Sequence, residues 1–113
     1  MALEKSSSGV LEHGHIVLDP TNRAVTVSGK TYQLTPKECQ LLAILMQHPG
    51  EMLTRRVLMQ EVWDTDYLGD TRTLDVHICW LRQKIEADHR FPRYLLTIRG
   101  YGYMLATDQE HRL

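Results

Sequence analysis

An α+β fold of short N-terminal strands, three helices and a closing β-hairpin is predicted for this chain by three observations. Leu74, Ile78, Leu81 and Ile85 recur at the spacing of one helix face. Thr35-Pro36-Lys37-Glu38 combines an N-cap threonine, a proline at the first helical position and a glutamate placed to cap back. Leu96-Thr97-Ile98-Arg99 runs as a strand into the turn Gly100-Tyr101-Gly102.

The elements follow in order. Residues 1–13, with Ser6-Ser7-Ser8-Gly9, read as a polar linker ahead of a domain over 14–106 and a tail over 107–113. Ile16 to Leu18 begins a strand that Asp19-Pro20-Thr21-Asn22 turns. Val25 and Val27 alternate with polar neighbours, and Ser28-Gly29-Lys30 turns into Tyr32 and Leu34, giving an antiparallel sheet with one apolar face. The helix after Thr35 buries Leu41, Leu42 and Leu45 and ends at Pro49-Gly50. A second helix opens after Thr54 and reaches Trp63, followed by the acidic loop Asp64–Asp70. Asp70 or Thr71 caps the third helix. A turn of about 100° per residue puts Arg72, Val76, Cys79 and Gln83 opposite its apolar stripe, with Thr73 and Trp80 beside them. In the last hairpin Leu96 and Ile98 point one way, Thr97 and Arg99 the other. The assembly is of the winged helix-turn-helix kind.

With 113 residues, 42% hydrophobic and 24% charged, the composition is that of one globular domain. No apolar run has the length of a membrane span, and the start does not resemble a signal peptide, so a cytoplasmic protein is expected. Cys39 and Cys79 have no metal or redox spacing and read as free thiols. A net charge of −1 argues against nucleic acid until the charges are located. Thr71 to Tyr103 carries six basic and three acidic residues, a local surplus suited to salt-sensitive contact with phosphates.

Leu34 through Leu42, Arg72 through Ile78, Leu81 through Ile85 and Thr97 through Tyr103 together resemble the OmpR/PhoB-type effector domain of two-component response regulators. The resemblance covers residues 14–106 and implies a four-stranded N-terminal sheet, three helices and a hairpin wing. It implies sequence-specific binding of direct-repeat double-stranded DNA by a head-to-tail pair, with a sensor kinase acting through a receiver domain for which this chain has no room. By the same resemblance Arg72, His77 and Arg82 bond phosphates, Thr73 and Val76 touch base edges or thymine methyls, and the Trp63 indole N–H reaches a phosphate. Thr97 meets the DNA backbone, and Arg99 enters the minor groove, where narrow A·T-rich stretches favour arginine. Asp64, Thr65, Asp66, Tyr67, Leu68, Gly69 and Asp70 match the region that contacts RNA polymerase.

One departure stands out. Cys79 and Trp80 occupy positions that are often basic in relatives, and neither can make arginine's bidentate contact to guanine. Weaker direct readout is therefore expected, with more reliance on the wing and on pairing of domains. A winged-helix module for protein–protein contact is the alternative, motivated by the near-neutral charge and the outward Trp80.

Other chemistries find little support. His13-Gly14-His15 lacks a third ligand at a recognised spacing. Gly100-Tyr101-Gly102 lacks the rest of a nucleotide loop, and the serines have no His and Asp arranged around them. Asp64, Asp66 and Asp70 do not make an EF-hand. No cofactor, metal or catalytic activity is expected.

Overall fold

The computed structural model describes residues 9–65 and 69–107. Four strands open the chain: β1 (Leu11–His13), β2 (Ile16–Asp19), β3 (Ala24–Val27) and β4 (Lys30–Gln33), paired antiparallel in sequential order. Three helices follow: α1 (Pro36–Gln47), α2 (Arg55–Trp63) and α3 (Arg72–Ile85), with the two-residue strand β5 (Leu53–Thr54) before α2. β6 (Leu95–Ile98) and β7 (Gly102–Leu105) form the C-terminal hairpin.

The linker expected over residues 1–13 is shorter at its C-terminal end. Leu11–His13 pair with Ile16–Leu18 as an edge strand, and His13 Nε2 lies 2.5 Å from the Ala106 carbonyl. That bond ties the first strand to the exit of the last one, so His13 serves as a structural clasp. Three residues are too few for the period-2 pattern to register; pairing with β2 supplies what local sequence does not.

The capping box at α1 forms as read. Glu38 N donates to Thr35 Oγ1 at 3.2 Å, and Thr35 N donates to Glu38 Oε1 at 2.8 Å. Thr54 caps α2 through Val57 N at 3.0 Å. α1 packs against α2, α3, the N-terminal sheet and β7, and the core forms where these layers meet. Ile16, Leu18 and Val25 come from the sheet, Leu41, Leu42 and Leu45 from α1, and Leu58 from α2. The whole α3 stripe of Leu74, Ile78, Leu81 and Ile85 joins them.

The hairpin is part of a larger sheet than the sequence indicates. β5 adds to β7, giving the order β5-β7-β6, with Leu53 opposite Tyr103 and Thr54 opposite Gly102. A Cβ at Gly102 would stand 1.9 Å from the Leu53 carbonyl oxygen. Only glycine lets the strands approach so closely. In β6 the alternation is as read, but the residue sunk into the core is Leu95, on the Thr97 side; Leu96 and Ile98 are half-buried.

Candidate nucleic-acid interface

Burial of its apolar stripe fixes which side of α3 faces out. Arg72, Val76, Cys79, Trp80 and Gln83 are exposed, and Thr73 and His77 are half-exposed beside them. The outward set read from the sequence is recovered, and Asp75 (exposed) and His77 are added to it. Thr71 occupies the N-cap position, but its side chain makes no capping bond. Asp70 takes that role, accepting from Arg72 N at 3.1 Å. The Asp70 carboxylate also accepts from Arg72 Nε and Nη2 at 3.1 and 3.0 Å. The Arg72 guanidinium holds the Asp70 carboxyl at a pKa of about 2. Arg72 remains almost fully exposed at 87% of its side chain, so this ion pair leaves it accessible.

His77 Nδ1 sits 2.7 Å from the Thr73 carbonyl and therefore carries a hydrogen. The ring stands edge-on to Trp63 at 5.0 Å and tilted against Trp80 at 4.9 Å. Trp63 is half-buried and packs partly on the core. The three rings make one continuous ridge from the end of α2 to the middle of α3.

Arg82, expected at a phosphate, is also engaged within the chain. Its Nε donates to the Leu95 carbonyl at 2.9 Å and its Nη2 to Thr97 Oγ1 at 2.8 Å, with the guanidinium over the Tyr103 ring at 5.8 Å. Partial burial pulls its pKa below the usual arginine value. Arg82 thus joins α3 to the wing, and Thr97 keeps its hydroxyl hydrogen for an outside acceptor. Arg99 lies two residues further on, exposed, in the turn closed by Tyr101 N donating to the Ile98 carbonyl at 2.9 Å. Gly100 follows it at φ +72°, a conformation that a side chain would strain.

Several residues that organise this face were not singled out from sequence. Arg55 donates to both Asp75 oxygens at 2.8 and 2.9 Å and to the Thr71 carbonyl and hydroxyl. Tyr103 donates its hydroxyl to Asp75 Oδ1 at 2.6 Å. Burial would raise the Asp75 pKa, but the bonds from Arg55 and Tyr103 outweigh it and hold it low. Burial first, then the Asp75 carboxylate, push the Tyr103 phenol up. One signal was available: an arginine in the first turn of a helix opposes the helix dipole and calls for a carboxylate elsewhere. Glu86, just past α3, accepts from the backbone N–H groups of Arg93, Tyr94 and Leu95 at 2.7 to 3.3 Å. That carboxylate fixes where β6 begins. Behind the interface, buried Glu38 accepts from Lys84 Nζ at 2.7 Å, joining α1 to α3.

Of the acidic loop, Asp64, Gly69 and Asp70 are exposed and Thr65 is half-exposed; Asp66, Tyr67 and Leu68 lie outside the described residues. Cys39 and Cys79 are both unpaired, and burial pushes the Cys39 thiol up. Among the described residues no helix is long and apolar enough to cross a membrane.

A core-anchored helix with a glycine-turned hairpin tied to its flank defines the winged helix-turn-helix class. The family model described as "Transcriptional regulatory protein, C terminal" matches residues 29–105, and the chain belongs to this OmpR/PhoB-type family. Sensory transduction protein RegX3 of Mycobacterium tuberculosis (strain ATCC 25618 / H37Rv) is 50% identical over 99 residues, 88% of this chain and 44% of that protein. The alkaline phosphatase synthesis transcriptional regulatory protein PhoP of Bacillus subtilis (strain 168) is 43% identical over 97 residues, 86% of this chain and 40% of its own length. The chain thus spans less than half the length of these curated relatives. Among solved structures, the RstA DNA-binding domain of Klebsiella pneumoniae in complex with the RstA box matches with a TM-score of 0.77 at 30% identity, covering 86% of this chain and 96% of that one. The DNA-binding domain of CpxR from E. coli matches at 0.75 and 33% identity, covering 87% and 96%.

Proposed function

We propose that this chain binds double-stranded DNA sequence-specifically, as the effector part of a phosphorelay response regulator that controls transcription. α3 enters the major groove and Arg99 reaches into the adjacent minor groove. The observation that carries the reading is the pair of links from α3 to the hairpin, Arg82 to Thr97 and Asp75 to Tyr103. They hold the outward face of the helix and the arginine-tipped turn as one unit. The RstA domain, solved with its DNA box, has the same fold.

In this reading Arg72 donates to phosphates, and His77 does so when Nε2 also carries a hydrogen, with the Thr97 hydroxyl and the Trp63 indole beside them. Thr73, Val76, Cys79 and Trp80 face base edges. Arg82 is a positioning residue for the wing. Two copies sit head to tail on direct repeats, the loop 64–70 faces RNA polymerase, and a sensor kinase acts through a receiver domain. The setting is cytoplasmic, and no catalytic step is assigned.

Salt dependence tests the DNA contact. Affinity for a duplex selected from a random-sequence pool is expected to fall by orders of magnitude between about 50 and 200 mM salt, as for any protein that displaces counterions from several phosphates. A flat response, or no duplex recovered, would reject the reading and favour a protein-contact module.

A further inference from the structure

All three cations of α3 have partners within the chain. Arg72 is paired with Asp70, Arg82 is bonded to Leu95 and Thr97 of the wing, and Lys84 is held by buried Glu38. The outward carboxylate, Asp75, is engaged by Arg55 and Tyr103. What the middle of the helix offers outward is apolar: Val76 is 41% exposed and Trp80 42%. Cys79 lies exposed between them, its sulfur 3.7 Å from Gln83 Nε2. The Trp80 ring is also held in place. It leans on His77, which is fixed by its bond to the Thr73 carbonyl and by the edge contact with Trp63. A rigid, supported indole covers area at little cost in side-chain entropy.

Beyond the Val76 contact that the family resemblance implies, we infer that Trp80 is a second apolar reader, so that α3 selects thymine through its C5-methyl groups rather than guanine through a guanidinium. The inference rests on the DNA-binding reading above and specifies what that face recognises. The thymine methyl is the one apolar feature that a base pair presents in the major groove, and apolar side chains pair with it. Val76 and Trp80 are four residues apart, a rise of about 6 Å along the helix. Base steps of about 3.4 Å then put the contacted methyls about two steps apart when the helix lies along the groove. Guanine readout would need a free bidentate donor at the centre of this face, where Cys79 and Trp80 stand.

The test uses the tightest duplex from a random-sequence selection and copies of it in which single thymines become 2′-deoxyuridine, which removes only the methyl. The whole chain is expected to lose about fourfold in affinity at each of two positions, the factor that corresponds to one buried methyl-sized group. Trp80→Ala, checked for native circular dichroism, is expected to erase the thymine–uracil difference at one position; Arg99→Ala should preserve both differences while binding more weakly. Trp80→Arg is expected to move the preference at that position toward guanine. Equal affinity of the unaltered chain for the thymine and uracil duplexes would overturn the inference while leaving DNA binding intact. Persistence of both differences in Trp80→Ala, or an unchanged base preference in Trp80→Arg, would remove Trp80 from the reading set. Failure of the selection to recover any duplex would reject the DNA-binding reading itself.

Discussion

Arg82 and Arg99 carry the same charge on neighbouring elements, yet the fold uses them differently. The Arg82 guanidinium is spent on Leu95 and Thr97, whereas Arg99 projects from a turn with its side chain exposed and no bond within the described residues. The consequence is a difference between variants. Arg99→Ala is expected to weaken binding most on sites with A·T-rich flanks, measured by comparing duplexes that differ only there; an equal loss on all flanks would make Arg99 a plain phosphate anchor. Arg72→Ala is expected to cost about 1–3 kcal/mol in binding and to lower the salt slope by about 1 on every sequence. At this scale the sequence is informative about which side chains face outward, because a 3.6-residue period fixes one face once the other is buried. It is silent on which of them are already occupied. Arg72, Arg82 and Arg99 look alike in sequence, and only tertiary neighbours distinguish them.

α3 and the hairpin behave as one element because three side chains cross between them or across their junction. Arg82 holds the middle of β6, Tyr103 joins β7 to Asp75, and Glu86 collects the N–H groups where β6 begins. Tyr103→Phe removes one of these links without changing volume and leaves Asp75 paired with Arg55. It is expected to cost about 1–2 kcal/mol in folding stability by denaturant titration. It should also make binding more tolerant of a base pair inserted between the major-groove site and the A·T flank. If stability falls but spacing tolerance does not change, the link holds the fold together without setting groove spacing. Gly102→Ala places a methyl against the Leu53 carbonyl and is expected to cost about 1–3 kcal/mol, read from the shift of the unfolding midpoint. The capped helices and the final turn are legible in sequence because their signals are local. β1 and β5 are not: at three and two residues they exist through the partners they pair with, β2 and β7.

At the scale of the whole molecule, the apolar layer between the sheets sets the position of α3, and the Glu38–Lys84 pair adds an electrostatic tie from α1. Burial would raise the Glu38 pKa, but the Lys84 ammonium and the Thr35 backbone N–H more than offset this and hold it below its ordinary 4.5. A carboxyl depressed in the folded state contributes stability that is present above its unfolded value and lost as pH falls through the folded one. Thermal stability is therefore expected to decline as pH drops below about 4.5, and Lys84→Met should remove part of that decline. Lys84→Met is also expected to cost about 1–3 kcal/mol at neutral pH, since it leaves a buried carboxylate without its cation. An unchanged acid limb in Lys84→Met would show that other carboxylates govern acid unfolding.

DNA binding of the proposed kind requires the outward side of α3 and the Arg99 turn to meet one duplex together. Titration of the isotopically labelled chain with a selected duplex, followed by backbone amide NMR shifts, tests this most directly. The expected result is a contiguous set of perturbed amides from Thr71 to Gln83 and from Thr97 to Tyr101, with the outer strands of the N-terminal sheet unmoved. Perturbation confined to one of the two segments, or centred on the sheet, would contradict it.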